Sequence, residues 1–125
     1  MTTPNGSAPH ILIIEDEAIV AVAMSRGLRI CGAVVIGPAA TPAQALALIE
    51  STPRIDGALV DINLRGVQAY DVADALIAKR IPIVFATGYD ASTIPNRYRG
   101  IAVLQKPFGP ADAMQALALA ADGSA

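Results

Sequence analysis

Five runs of apolar residues punctuate the chain, near residues 11–15, 33–37, 57–61, 82–87 and 101–105. Each is followed by a segment of helical character. The runs lack the period-two alternation of a half-exposed strand. Near-continuous apolar character predicts strands covered on both faces, as in a parallel sheet. The first helix is expected from about Glu17 to Cys31, with Val20, Ala23, Met24, Gly27, Leu28 and Cys31 on one buried stripe and Cys31 as a core thiol. Thr41-Pro42 reads as an N-cap with proline at the first helical position, opening a second helix that runs to about Ser51. A third runs from about Tyr70 to Lys79. A fifth begins at Gly109-Pro110 and turns Met114, Leu117, Ala118 and Ala121 inward, with Ala113, Ala116 and Leu119 outward. The fourth helical segment, Asp90 to Arg99, contains Pro95 and few inward apolar residues, so it is expected to be short or irregular. Five such βα units with short connections predict an α/β fold, a doubly wound parallel sheet with right-handed crossovers.

The chain has 125 residues, enough for one domain with a proper core. We place the domain at residues 9–121, with a disordered lead-in at 1–8 and a C-terminal tail at 122–125. At 54% hydrophobic and 16% charged residues the composition is globular, and scarce aromatics leave the core to Val, Ile, Leu and Ala. A net charge of −2 argues against a nucleic-acid surface. No apolar run approaches the ~20 residues of a membrane helix, and the first nine residues lack the regions of a signal peptide. A single cysteine suits a reducing cytoplasm. The chain stops just after the fifth helix, which leaves no room for an effector domain unless it is one part of a longer regulator.

Polar chemistry gathers at the carboxyl ends of the strands. Asp61 closes Gly57-Ala58-Leu59-Val60, Glu15-Asp16 follows Ile11 to Ile14, Thr87-Gly88 ends the fourth run, and Lys106-Pro107 follows the fifth. In doubly wound sheets the ligand lies outside this edge. A carboxylate at the mouth of a buried strand is costly to desolvate, so it usually serves chemistry or a metal. Three acids, a hydroxyl and an ammonium describe a site for a divalent cation and a phosphoryl group.

Four motifs carry a resemblance: Ile14-Glu15-Asp16-Glu17, Val60-Asp61-Ile62-Asn63-Leu64, Phe85-Ala86-Thr87-Gly88 and Gln105-Lys106-Pro107-Phe108. In this order, each at a strand end, they make the chain similar to the CheY-like receiver domain of response regulators over about residues 9–121. The resemblance implies a flavodoxin-like fold of strand order 2-1-3-4-5. It implies phosphotransfer to Asp61 from a histidine kinase or a phosphotransfer protein in the cytoplasm, and an unknown downstream protein. It also implies Mg²⁺, or Mn²⁺ in its place, held by Asp16, Asp61, the backbone carbonyl of Asn63, and Glu15 through water. Lys106 and Thr87 would meet phosphoryl oxygens, Gly88 would leave them space, and Lys106-Pro107 resembles the family's cis peptide. Such a domain is a phosphoacceptor rather than an enzyme, with self-phosphorylation from small donors and autodephosphorylation expected, as a monomer or weak homodimer.

One departure matters. Where receivers often carry Tyr or Phe three residues before the lysine, this chain has Val103. The stretch from Pro82 to Tyr89 instead resembles the FATGUY receiver subclass, which lacks that aromatic and often works with HWE-type kinases. Switching is therefore expected to involve Tyr89 and the weak fourth helix. Ile19 and Val22, beside Arg26 and Arg29, lie off the buried stripe of the first helix, on the face that borders phosphodonor helices in this family. Two rival functions are weaker. A haloacid-dehalogenase-type phosphatase needs an acid two residues after its nucleophile, and Asn63 stands there. A pseudo-receiver binding module would not need the full set Asp16, Asp61, Thr87 and Lys106. Glu17 reads as a first-turn residue favoured by the helix dipole, and His10 as a solvated residue before the first strand.

Overall fold

The computed structural model describes residue 3 and residues 6–88 and 91–123. Tyr89 lies outside the described residues. In chain order the elements are β1 (His10–Ile14), α1 (Ala18–Ile30), β2 (Val34–Ala39), α2 (Pro42–Ser51), β3 (Gly57–Asp61), β4 (Asn63–Leu64), β5 (Val67–Gln68), α3 (Tyr70–Ala78), β6 (Ile83–Thr87), β7 (Ala102–Gln105) and α4 (Pro110–Ala121). Five strands form one parallel sheet in the order β2-β1-β3-β6-β7. Counted without the small antiparallel β4–β5 hairpin, that order is 2-1-3-4-5.

Alternate residues of the central strands feed two cores. Leu12, Ile14, Ala58, Val60, Ile83 and Phe85 pack with Ala45 and Ile49 of α2 and Val72 and Leu76 of α3. Ile11, Ile13, Leu59, Val84 and Ala86 pack with Leu28 of α1 and Met114 and Leu117 of α4. Covered on both sides, these strands need no polar face, which is why their sequence does not alternate. The edge strands differ: Val34 in β2 is 44% exposed, and β7 is only half-buried. The expectation of two buried faces therefore holds for β1, β3 and β6 alone.

The helix boundaries follow the local chemistry. Thr41 caps α2, its hydroxyl accepting from the Gln44 amide at 3.1 Å, while the Gln44 side chain accepts from the Ala40 amide at 2.9 Å. The first satisfies an amide that the opening helical turn leaves without a partner, and the second ties down the residue just ahead of the cap. In α4 the Asp112 carboxylate accepts from the Gly109 amide at 3.0 Å. The fourth helical segment is reduced to two 3₁₀ turns, Ala91–Thr93 and Asn96–Tyr98, separated by Pro95. Proline cannot supply the amide a longer helix would need there.

Several side chains sit differently from the sequence expectation. In α1 the buried residues are Ala21, Ser25 and Leu28, and Ala23 and Cys31 are exposed. The buried stripe is rotated toward Ser25, whose hydroxyl donates to the Ala21 carbonyl at 2.7 Å and so can enter the interior. Cys31 is the C-cap residue, beyond the packed turns. In α4 Ala113 is buried and Ala121 exposed, the reverse of what was expected, because the inward face runs through Ala113, Met114 and Leu117. His10 is the first residue of β1 and half-buried. Ser7 and Ala8, ahead of β1, are tied down near the sheet. Arg54 donates to Ser7 Oγ at 2.7 Å and to the Ala8 carbonyl at 3.0 Å, and Asp56 accepts from the His10 amide at 2.7 Å.

Candidate functional site

The parallel register brings the polar strand ends to one edge. Ile14 pairs with Val60, Asp61 with Ala86, and Thr87 with Gln105. Glu15 thus follows the end of β1, Asp61 ends β3, Thr87 ends β6 and Lys106 follows β7. Glu15, Asp61 and Thr87 are 7%, 5% and 5% exposed. Carboxylates so deeply placed require partners. The Lys106 ammonium supplies them, donating to Asp61 Oδ2 at 2.7 Å and to Glu15 Oε1 at 2.8 Å. The second oxygens are satisfied from the backbone: Asp61 Oδ1 accepts from the Asn63 amide at 3.0 Å, and Glu15 Oε2 from the Glu17 amide at 3.2 Å. Burial draws the Lys106 ammonium toward its neutral form, but hydrogen bonds to Asp61 and Glu15 outweigh it and hold its pKa above the ordinary lysine value.

Glu15, Asp16 and Asp61 each present an oxygen, and these atoms lie within 4.8 Å of one another. An all-oxygen, acid-rich set of this size suits Mg²⁺, which keeps several waters and takes few protein ligands. Asn63 accepts from the Gly66 amide through Oδ1 at 2.8 Å, pinning the hairpin beside Asp61. Gly88 is exposed, and a Cβ there would meet nothing within 4 Å. The Lys106–Pro107 peptide is cis. Behind the carboxylates lies a cavity of about 170 Å³ whose apolar lining includes Val20, Met24, Leu59 and Phe108. It gives the site a low-dielectric wall that strengthens interactions among its charges.

Sequence reasoning missed Arg65, whose Nε lies 3.8 Å from Asp16 Oδ2. Its signal was the Arg-Gly pair at the tip of the turn after Asp61. Glu17 is the N-cap of α1 without a side-chain cap bond, and it stays outside the acid cluster. On α1, Ile19 and Val22 are 86% and 49% exposed, and Arg26 and Arg29 are exposed as well. Among the described residues no helix is long and apolar enough to cross a membrane.

Comparison with known proteins follows the same lines. The model of the response regulator receiver domain matches residues 11–118. The transcriptional regulatory protein PdtaR of Mycobacterium tuberculosis is 32% identical over 95% of this chain and 60% of its own length. The chain thus spans less than two thirds of that relative's length. The solution structure of SdrG from Sphingomonas melonis Fr1 matches with a TM-score of 0.78 and 40% identity, covering 90% of this chain and 96% of that one. The BeF3-activated conformation of SdrG from Pseudomonas melonis Fr1 matches with a TM-score of 0.75 and 42% identity, over 89% and 97%.

Proposed function

The chain belongs to the response regulator receiver domain family of two-component signalling, and we propose that it accepts a phosphoryl group on Asp61 from a phosphohistidine donor. The observation that carries this reading is the Asp61 carboxylate, buried at the end of β3, with Lys106 at 2.7 Å and two further carboxylates beside it. An oxygen of Asp61 attacks phosphorus, the bond from phosphorus to the donor nitrogen breaks, and the imidazole leaves with the electron pair. Phosphoryl transfer asks mainly for positioning and charge neutralisation. Both Asp61 oxygens are hydrogen-bonded at rest, so Lys106 must shift from Asp61 Oδ2 to a phosphoryl oxygen as the new bond forms. Thr87 takes another phosphoryl oxygen, and Gly88 leaves room.

Receiver domains generally bind Mg²⁺ through such an acidic pocket. Here Asp16, Asp61 and the Asn63 carbonyl would hold it directly and Glu15 through water; Mn²⁺ fits the same donors. When bound, the ion supplies positive charge against the developing phosphoryl charge. The donor would be a histidine kinase, including the HWE type, or a phosphotransfer protein in the cytoplasm. The exposed Ile19–Val22 face of α1 is the surface proposed to receive it. Val22→Glu, which places a charge on that face, should slow transfer from the protein donor and leave labelling by acetyl phosphate unchanged. Output passes to a downstream protein through a switch without an aromatic at residue 103, in which Tyr89 and the two 3₁₀ turns take part. Tyr89→Ala should blunt the spectral changes that follow beryllofluoride.

Intact mass after incubation with acetyl phosphate and Mg²⁺ tests the central claim. One phosphoryl gained by the wild type, and lost in Asp61→Asn and without Mg²⁺, is the expected result. A mass that never changes, together with NMR spectra unmoved by beryllofluoride and Mg²⁺, would leave a binding module instead.

A further inference from the structure

We propose that Arg65 captures the anionic phosphoryl donor at the mouth of the site and is parked on Asp16 until that carboxylate is taken up by a divalent cation. The inference rests on the phosphoacceptor reading of Asp61. The chain after Asp61 folds into the β4–β5 hairpin, with Asn63 opposite Gln68 and Leu64 opposite Val67. Its two connecting residues, Arg65 and Gly66, have φ of 52° and 83°. A two-residue hairpin turn with both φ positive favours Asn and Gly. Arginine there works against backbone preference, and the turn carries its side chain back toward the acids. The guanidinium side chain is 80% exposed, with Nε 3.8 Å from Asp16 Oδ2, whereas the Asp16 side chain is only 12% exposed. So exposed a pair holds weakly and releases readily.

Charge balance gives that cation a task. Glu15, Asp16 and Asp61 against the single Lys106 ammonium leave the cluster two charges negative. A divalent cation would bring it only to neutrality, which does not attract an anionic donor. Lys106 is already engaged by two carboxylates. Arg65 is a further cation among the described residues that touches the cluster. With its oxygens engaged by a divalent ion, Asp16 would hold the guanidinium less firmly. The freed fork of N–H donors then matches phosphoryl oxygens. With acetyl phosphate, an Asp61 oxygen forms the new bond to phosphorus, the bond from phosphorus to the acetyl oxygen breaks, and acetate leaves with the electron pair. Arg65 makes and breaks no bond; it holds the donor.

The test compares Arg65→Asn, which removes the charge yet suits the positive φ, with Arg65→Lys, which keeps it. Labelling of Asp61 is followed by intact mass against acetyl phosphate concentration at saturating Mg²⁺, in low and high salt. Mg²⁺ affinity is read separately from amide shifts in NMR titrations. In Arg65→Asn the slope of rate against acetyl phosphate should fall about tenfold at low salt, the scale of one charge-assisted contact to phosphate. The deficit should shrink as salt screens the site, and Arg65→Lys should recover much of it. Mg²⁺ should bind Arg65→Asn about two- to threefold more tightly, because Asp16 loses a competitor of surface-pair strength. An Arg65→Asn slope equal to wild type at both salt concentrations overturns the proposal. A wild type that gains no phosphoryl group and whose NMR spectra are unmoved by beryllofluoride and Mg²⁺ overturns the reading of Asp61, and this inference with it.

Discussion

Lys106 holds two buried carboxylates together, so replacing it should expose what that arrangement costs. Lys106→Met keeps most of the aliphatic stem and deletes the ammonium. Asp61 and Glu15 would then face each other without the cation that now sits 2.7 Å and 2.8 Å from them. Removing one partner of a fully buried pair costs roughly 3–5 kcal/mol. The lysine side chain is 26% exposed, so water can reach the vacated position, and discounting that range for solvent screening brings it to about 2 kcal/mol. At roughly 3–5 °C per kcal/mol for a domain of this size, the metal-free variant should melt about 6–10 °C below wild type. Mg²⁺ should narrow the gap. In the variant nothing competes for the carboxylates, and an ion at a hundredfold its Kd adds about 2.7 kcal/mol. In the wild type part of that gain is spent displacing the ammonium. Thermal melts with chelator and with Mg²⁺ read both arms. The folded-state pKa of Lys106 lies above its ordinary 10.5, so its contribution is complete below that pH and is lost as pH rises through the raised value. The gap between wild type and variant should therefore hold steady at neutral pH and close only in strongly alkaline buffer. Equal melting temperatures without metal would refute the reasoning.

Gly27→Ala should destabilise the domain by about 1–3 kcal/mol in urea denaturation, despite alanine's better helix propensity. An added Cβ would lie 2.0 Å from Pro110 Cγ and force α1 and α4 apart. Tyr98→Phe keeps the ring stacked on Tyr70 at 5.1 Å and edge-on to Phe85 at 5.6 Å, but deletes the hydroxyl that donates to Asp74 Oδ1 at 2.7 Å. It should cost about 1 kcal/mol, whereas Tyr98→Ala, which empties the pocket, should cost about 3–5 kcal/mol. Thr41→Ala removes the cap on the Gln44 amide and should lower stability by about 1 kcal/mol, with the loss concentrated in hydrogen-exchange protection of α2.

The central strands and the chemical edge were legible because chain order alone decides them. Three apolar runs buried on both faces must be parallel and central, and whatever follows each run must stand at the same edge of the sheet. Glu15, Asp61, Thr87 and Lys106 were found in this way before any distance was known. Side-chain facing was less legible where small residues blur the helical stripe. Alanine at 113, 116, 118 and 121 offers the same apolar signal on every side, so only the larger Met114 and Leu117 marked the inward face. Ser25 escaped notice because its hydroxyl is satisfied within its own helix, by the Ala21 carbonyl. Arg65 escaped because its meaning depends on a two-residue turn that folds it back onto Asp16, and the Arg-Gly pair marks the turn without showing where the side chain lands.

The missing aromatic at residue 103 shows how the packing is completed by other means. Val103 pairs with Phe85 in the sheet register and is only half-buried. A valine there leaves Phe85 without a ring partner on the neighbouring strand. Tyr98 fills that role from the 3₁₀ turn outside the sheet, 2% exposed, its ring edge-on to Phe85 and stacked on Tyr70 of α3. Its hydroxyl reaches Asp74 on the same helix. Phe85 stands two residues before Thr87 on β6 and so points to the same side of the sheet. Burial, and then the hydrogen bond to Asp74, hold the Tyr98 phenol above its ordinary pKa, so the ring is fixed as a neutral donor. The irregular segment that the sequence marked as weak is therefore tied at its far end by one buried aromatic, which binds it to α3 as well as to β6.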